Sequence, residues 1–310
     1  MLKIIPSTEV PPPDPDAAPG LLAPFLPNEP ALVLLAGEAS AGKTVLARSL
    51  AYHLAEGLTF VGLSPREAVP VLYVDLESPE GLFWDLVKTI GWSDNLGFIR
   101  ELDRPLSDSR GLEDLKDAIK RHNAKAVFID PLPMAWPVRD ENDNAEADRQ
   151  MTAMKHLAVE TNCVVVVLWN MGEGFVKEKF RARGATARVD RPDLVLNYTE
   201  LARKARRLKV VKSRYGTREE EIVLGFAEGL KFEVREAPEP LPTTTSQIKS
   251  TILSFVTGSE PKERQDIINE VRAQGIEAGD NLIDKALGEL VSAGELVRAG
   301  RGKYKRNLRI

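Results

Sequence analysis

The amino-acid sequence predicts an α/β fold with a largely parallel sheet that helices cover on both faces, followed by a smaller C-terminal domain. From residue 31 onward, short runs that are apolar throughout alternate with helical patterns, and such runs are typical of parallel strands buried on both faces. Over residues 236–247 the composition shifts to proline, glutamate and threonine, which is typical of an extended linker. A chain of 310 residues is long enough for two domains of ordinary size.

Each element is predicted in turn from its own pattern. Residues 1–30 are rich in proline and cannot form a helix or a central strand, so we expect an extended N-terminal arm. In the α/β domain, residues 31–235, apolar runs predict strands at 31–36, 70–75, 125–130 and 163–169. Helical periodicity predicts helices at 43–56, 79–90, 111–122 and 143–160. Further apolar runs without helices between them favour an antiparallel extension of the sheet, near 193–197, 207–213, 221–226 and 230–234.

The residues after the linker, 248–310, predict a winged helix-turn-helix domain. Helical patterns cover about 246–256, 261–273 and 280–293. A hairpin-like segment from Leu296 to Tyr304 follows, with Gly300 and Gly302 at its turn. Three helices followed by a hairpin are the pattern of a winged helix.

Composition excludes several classes of protein. The chain is 43% hydrophobic and 28% charged, which excludes global disorder. Its longest apolar run, Cys163–Trp169, is far shorter than the roughly 20 residues of a transmembrane helix. Cys163 is the single cysteine, which excludes intrachain disulfides and cysteine-based zinc sites. We therefore expect a cytoplasmic protein without a membrane partner.

The sharpest motif is a phosphate-binding P-loop at residues 37–44. This segment fits G-x-x-x-x-G-K-[ST] at every fixed position and lies between an apolar strand and a helical pattern. Backbone N–H groups of such a loop turn toward phosphate oxygens, while Lys43 would contact the β- and γ-phosphates and Thr44 would give its hydroxyl to Mg²⁺. We therefore expect ATP and Mg²⁺ as ligands. The expected nucleotide-binding residues are Gly37, Glu38, Ala39, Ser40, Ala41, Gly42, Lys43, Thr44 and Val45.

Polar side chains lie at the carboxyl ends of other predicted strands, where ligands of open α/β sheets bind. Asp130 ends one apolar run and is the expected Walker B residue, which holds Mg²⁺ through water. Glu77 closes another and would orient and deprotonate the attacking water, with Asp75 as the competing candidate. Asn170 follows the run 163–169 and would contact the γ-phosphate as a sensor.

The order of these motifs resembles the RecA-like ATPase core. The matching segments are GEASAGKT, LYVDLES, AVFID, VVVVLWN, ARGAT and VVKSRYG. More narrowly, residues 20–235 resemble RepA-type hexameric replicative helicases and their AAA_25 relatives. The resemblance implies a homo-oligomeric ring, a hexamer, in which a basic residue of the neighbouring subunit completes each ATP site. Arg183 falls at the family's RGSS-like motif, and Lys212 and Arg214 fall at its K-x-R-x-G motif. The resemblance therefore implies that these three are the candidate catalytic residues supplied by the neighbour.

The same resemblance implies that loops after the Walker B strand and after the sensor strand bind single-stranded DNA in the ring channel. Of these loops, at about 134–145 and 171–183, the second carries Lys177, Lys179 and Arg181 for phosphate contacts. The tail of the predicted winged helix offers a second basic surface that could follow a DNA backbone. Its basic residues include Arg298, Arg301, Lys303 and Lys305.

Charge distribution agrees with a DNA partner although the net charge is −4. Residues 177–214 hold 13 basic residues against four acidic ones, and the last 15 residues hold six basic residues and none acidic. The leading hypothesis is therefore a DNA-stimulated ATPase that acts as a ring-forming replicative DNA helicase or translocase. The alternative is a non-motor DNA-binding protein, a recombination or replication regulator that uses ATP as an assembly switch. A small-molecule P-loop kinase is disfavoured by the predicted winged helix.

Overall fold

A computed structural model describes residues 20–171, 187–201, 205–216, 220–227, 231–236 and 244–307. The chain forms two compact units, divided between residues 238 and 239. Within the described ranges, no helix has the length and apolar character that a membrane crossing requires. Four candidate residues lie outside the described residues: Lys177, Lys179, Arg181 and Arg183.

A single sheet contains nine strands in the described part of the first unit. They are β1 Ala31–Glu38, β2 Val71–Asp75, β3 Leu96–Ile99, β4 Ala126–Asp130, β5 Val164–Met171, β6 Leu194–Glu200, β7 Arg206–Ser213, β8 Glu221–Phe226 and β9 Phe232–Val234. Their order across the sheet is β3-β2-β4-β5-β1-β6-β7-β8-β9. From β3 to β6 all neighbours are parallel, whereas β7, β8 and β9 each pair antiparallel with the preceding strand. The predicted parallel sheet with an antiparallel extension is confirmed.

Helices cover both faces of this sheet. They are α1 Lys43–Glu56, α2 Glu80–Ile90, α3 Ser109–His122, α4 Leu132–Ala135, α5 Asn144–Thr161 and α6 Ala187–Asp190. One hydrophobic cluster contains Leu50 of α1 and Val33 of β1, and the other contains Met154 of α5 and Leu34 of β1. Successive residues of a strand point to opposite faces. Strand β1 is therefore apolar from Ala31 to Ala36 because both of its faces are buried there.

The sequence pattern does not predict the edge strand β3. This strand has only four residues, includes Gly97, and pairs with β2 alone. So short a run cannot be distinguished from a loop by periodicity. The four-residue helices α4 and α6 are absent from the prediction for the same reason.

The described part of the predicted N-terminal arm, residues 20–30, is not extended. It forms a tight turn in which Leu22 and Leu26 exchange backbone hydrogen bonds of 3.1 and 2.9 Å. Leu22, Phe25 and Leu26 are buried in the cluster that includes α1. Full burial of one such side chain contributes about 1.5–3 kcal/mol, which favours the packed turn over an arm exposed to water.

The second unit combines helices with a small antiparallel sheet. Its elements in the described residues are α7 Thr244–Phe255, β10 Lys262–Glu263, α8 Arg264–Ala273, α9 Asp280–Ser292, β11 Leu296–Gly300 and β12 Lys303–Arg306. The strand order is β10-β12-β11. Each helix contributes to one core, which includes Ile248, Ile268 and Leu287. The two-residue strand β10 adds to the predicted hairpin, and the winged-helix assignment stays a prediction.

Candidate nucleotide-binding site

The loop between β1 and α1 has glycine where its backbone requires it. Gly42 has a φ of 91°, in the left-handed region that glycine adopts without strain. A Cβ atom at Gly37 would lie 2.1 Å from the carbonyl oxygen of Tyr198 on the neighbouring strand β6, so no larger residue fits there. Helix α1 begins directly after Gly42, at Lys43. The N–H groups of the first turn of a helix have no carbonyl partner within it and suit an anionic ligand.

The ammonium group of Lys43 is held by the loop itself. Its Nζ donates to the carbonyl oxygen of Gly37 at 3.1 Å and to that of Glu38 at 2.7 Å. Burial lowers the pKa of Lys43, and the carboxylates of Asp130, Glu77 and Glu38 oppose that shift. The P-loop lysine therefore lies among the acidic residues predicted to work with it.

Thr44 and Asp130, the two residues predicted to hold Mg²⁺, are hydrogen-bonded to each other. Asp130 lies at the end of β4 and is buried. Burial raises the pKa of Asp130 to about 6, while hydrogen bonds from Tyr73 and Thr44 partly oppose the rise. A hydroxyl and a carboxylate are oxygen ligands of the kind that Mg²⁺ prefers. The residues present therefore fit a magnesium ion.

Asp75, the competing candidate for the general base, is committed to a buried ion pair. Its carboxylate pairs with Arg48 of α1 and accepts a hydrogen bond from the backbone N–H of Ser78 at 3.0 Å. The side chains of Arg48 and Asp75 are 3% and 0% exposed. Glu77 is exposed and lies close enough to Asp130 to help raise the pKa of that carboxyl. The geometry therefore favours Glu77 over Asp75 as the acid that meets water.

Arg48, which belongs to no sequence motif, organises the interior beside this site. Its guanidinium lies 4.6–4.8 Å from the ring centroids of three aromatic residues, Tyr73, Phe83 and Phe98. These rings come from β2, α2 and β3 and lie 25 to 50 residues after Arg48 in the chain. A helical arginine therefore carries no local sequence signal for this role.

Asn170 lies beside the P-loop. Strand β5 continues to Met171 instead of ending at residue 169, and Asn170 pairs in register with Gly37 on β1. The side chain of Asn170 is exposed. The candidate sensor is thus part of a strand, next to the first glycine of the loop.

Arg206, at the start of β7, is a further residue that the sequence analysis missed. Its Nε donates to the carbonyl oxygen of Ala41 in the P-loop at 2.9 Å. The same guanidinium lies 3.2 Å from the carboxylate of Glu200 and 5.6 Å from the ring centroid of Phe226. Its approach to the loop depends on the register of the hairpin β6-β7. The only available signal was a basic residue at the start of a strand.

A comparison with known families identifies the first unit. The AAA_25 family, described as an AAA domain, matches residues 11–173, which is more than half of the chain. The chain belongs to the AAA_25 family. Its first unit is therefore a P-loop ATPase domain.

Solved structures share the RecA-like fold of this AAA_25 domain at low sequence identity. A KaiC-like protein from the hyperthermophilic archaeon Pyrococcus horikoshii OT3 is 17% identical over 70% of this chain and 94% of its own, with a TM-score of 0.51. Another solved structure, an isolated ATPase domain, is 15% identical over 66% of this chain and 85% of its own, with a TM-score of 0.50. The RadB recombinase is 20% identical over 67% and 92%, with a TM-score of 0.49. None of the curated proteins compared matches the chain.

Lys212 and Arg214 lie far from the P-loop of their own AAA_25 domain. Strand β7 runs antiparallel to β6, so its end lies at the start of the parallel strands, whereas the P-loop follows the end of β1. Val33, at the level of Ser213, and Gly37, at the start of the P-loop, are four residue steps apart along β1, which is roughly 13 Å at about 3.3 Å per residue. Neither residue is therefore placed to contact a nucleotide on its own P-loop.

The two basic residues differ in how they are engaged. The Nζ of Lys212 donates to the carbonyl oxygens of Val189 at 3.0 Å, of Pro192 at 2.8 Å and of Asp190. Burial and the neighbouring Arg214 lower the pKa of Lys212. Arg214 is 52% exposed, with its Nε 3.6 Å from a carboxylate oxygen. Lys212 thus anchors the segment after α6, and Arg214 is the more accessible of the two.

The basic residues predicted for the second unit lie on or beside its hairpin. Arg298, Arg301 and Lys303 are exposed, and Lys305 is half-buried. The Nζ of Lys303 is 3.2 Å from the Glu263 carboxylate. An exposed ion pair of this kind is weak, so it leaves the ammonium group able to exchange its partner for a phosphate.

Proposed function

We propose that this AAA_25 protein is a Mg²⁺-dependent ATP hydrolase that assembles into a hexameric ring and uses hydrolysis to move on DNA, as a replicative helicase or translocase. One observation carries the proposal. Lys43 and Thr44 of the P-loop lie beside Asp130, whereas Lys212 and Arg214, two of the three basic residues expected to complete the site, lie near the opposite ends of the parallel strands. This separation supports a site that a neighbouring subunit completes.

The chain's own residues supply the hydrolytic chemistry. Thr44 and Asp130 would hold Mg²⁺, whose chemistry is to neutralise charge on the phosphates. The Glu77 carboxylate accepts a proton from water while the water oxygen bonds to the γ-phosphorus. The bond from that phosphorus to the β–γ bridging oxygen breaks, and its electron pair leaves with ADP. Lys43 stabilises the charge that develops on the β- and γ-phosphates, and Asn170 contacts the γ-phosphate.

The proposal assigns the finger in trans to Arg214, with Lys212 and Arg183 as the other candidates. A guanidinium stays charged at every physiological pH and can grip two phosphate oxygens. Arg214 follows the end of β7 and is half exposed, which suits contact with a neighbouring subunit. An arginine finger contributes about 10³–10⁵ in rate.

A mixing experiment tests the shared site. Lys43→Ala and Arg214→Ala are each expected to lose most hydrolysis when assayed alone. Mixed rings contain sites that combine an intact Lys43 with an intact Arg214 from the neighbour, so part of the activity is expected to return. A mixture that stays inactive would contradict a finger in trans. Arg191→Ala is the matched control, because Arg191 has a similar exposure, 53%.

DNA binding is proposed at two places. Lys177, Lys179 and Arg181 would contact single-stranded DNA in the ring channel. The second unit would act as a winged helix whose hairpin follows the backbone of duplex DNA through the basic residues Arg298, Arg301, Lys303 and Lys305. The exposure of most of these hairpin residues supports the second contact.

The function is tested by measuring assembly, ATP turnover and strand displacement on the same preparation. Light scattering with and without ATP is expected to show a hexamer, and single-stranded DNA is expected to stimulate turnover. A monomer whose turnover ignores DNA would overturn the proposal. A ring that hydrolyses ATP without displacing a strand would instead support the alternative, an ATP-switched recombination or replication regulator. Lys43→Ala is the control for hydrolysis by a contaminant.

A further inference from the structure

The hydroxyl of Tyr73 contacts Asp130, one of the two residues that would hold Mg²⁺. Tyr73 is on β2, opposite Phe128 of β4 in the register of the two strands. Its Oη donates a hydrogen bond to Oδ2 of Asp130 at 2.7 Å. Strand β2 was expected to supply acids to the site, and this contact shows that it also supplies a donor.

The surroundings of Tyr73 hold its ring in one place. The side chain is completely buried. The ring stacks on Phe128, with centroids 5.7 Å apart and planes 9° from parallel. The guanidinium of Arg48 lies 4.8 Å from the same ring, and this arginine is itself fixed by its ion pair with Asp75. A ring packed on these sides gives its hydroxyl a single position.

We propose that Tyr73 is a positioning residue of the magnesium site. Its hydroxyl donates to Oδ2 of Asp130 and so fixes the rotation of the carboxylate that would hold Mg²⁺ through water. Tyr73 would act through Asp130, to which its hydroxyl is hydrogen-bonded. The inference rests on the proposed Mg²⁺-dependent ATPase function. Partners that orient a metal-binding residue typically change metal affinity 10–100-fold when they are removed.

The variant Tyr73→Phe tests this role because it removes one oxygen and keeps the ring. The readout is binding of a fluorescent ADP analogue while Mg²⁺ is titrated, which requires no turnover. We expect the Mg²⁺ concentration at half-saturation to rise about tenfold, with binding in EDTA unchanged. Tyr198→Phe is the matched control. Tyr198 is equally buried, and its hydroxyl has no hydrogen-bond partner in the described part of the chain.

A second variant separates positioning from a general effect on folding. Asp130→Asn removes the group through which Tyr73 acts, so adding Tyr73→Phe to it is expected to change Mg²⁺-dependent binding no further. A further loss in the double variant would overturn the proposal, because it would show that Tyr73 acts on the fold. Weaker binding of Tyr73→Phe in EDTA would overturn it for the same reason.

The outcomes also distinguish this inference from the proposed function. If the wild-type protein binds the ADP analogue equally with and without Mg²⁺, the Mg²⁺-dependent function fails and the role of Tyr73 fails with it. If the wild type depends on Mg²⁺ and Tyr73→Phe shows the same titration, the positioning role alone is overturned.

Discussion

Asp75→Asn is expected to destabilise the first unit strongly, whereas Glu77→Gln is expected to remove hydrolysis and leave stability unchanged. The difference follows from burial. Asp75 is the partner of a guanidinium that is 3% exposed, while Glu77 is on the surface. The pair of variants therefore separates the buried acid of β2 from the proposed catalytic acid that follows it.

The size of the effect can be worked out from the contacts of Arg48. Without the Asp75 charge, this guanidinium keeps its contacts with three aromatic rings. It loses its only carboxylate partner in the described residues. Its Nε already has no hydrogen-bond partner among those residues. Breaking a buried ion pair from one side costs about 3–5 kcal/mol. The loss is a large fraction of the 5–15 kcal/mol that typically stabilises a protein.

Urea denaturation followed by tryptophan fluorescence measures this loss in the first unit alone. All four tryptophans of the chain, Trp84, Trp92, Trp136 and Trp169, belong to that unit. With a denaturant dependence of about 3 kcal/mol per molar urea, the midpoint of Asp75→Asn should fall by about 1 M or more. Asp148→Asn is the matched control because it breaks an exposed ion pair with Arg191. Such a pair contributes at most about 1 kcal/mol.

One result would refute this reasoning. If Asp75→Asn unfolds at the same urea concentration as Asp148→Asn and has lost ATP hydrolysis, the buried ion pair is not structural and Asp75 is the base. Retained hydrolysis in Glu77→Gln would lead to the same correction.

Other predictions concern Asp130, Arg206 and Lys212. Burial raises the pKa of Asp130 from 3.8 to about 6, so metal-free protein should lose stability as the pH rises from about 4 to 6. At about 1.4 kcal/mol per pKa unit this loss reaches about 3 kcal/mol, and Asp130→Asn should remove it in urea denaturation with EDTA. Arg206→Met removes the hydrogen-bond donor to the carbonyl oxygen of Ala41. A charged hydrogen bond contributes about 1.5 kcal/mol, so binding of a fluorescent ADP analogue should weaken about tenfold. Unchanged affinity would show that this contact does not support the P-loop. Lys212→Met should cost about 1.5–3 kcal/mol of stability and Arg214→Met under about 1 kcal/mol; equal losses in thermal unfolding would show that the two residues are engaged alike.

The parts of the site that were predictable from sequence are those that depend on neighbours in the chain. The P-loop is a continuous motif, and Asp130 ends an apolar run that the strand pattern reveals. Arg48 and Arg206 depend on contacts between distant segments, so neither has a local signature. The same limit applies to β3, which pairs with β2 alone at the sheet edge. Periodicity predicts which residues are buried, but not which strand lies beside which.

Asp75 illustrates the limit more sharply. In the sequence it competes with Glu77 for the role of base, because both are acids at the end of one apolar run. The choice between them depends on an arginine 27 residues earlier on α1. Only the packing of α1 on the sheet identifies which carboxylate is neutralised and which one reaches water.

The antiparallel strand β7 has a consequence for communication between subunits. Arg206 at the start of β7 contacts the P-loop of its own chain. Arg214 is one residue past the other end of the strand. In the proposed ring, this eight-residue strand, roughly 26 Å long, would connect two successive ATP sites through one continuous backbone.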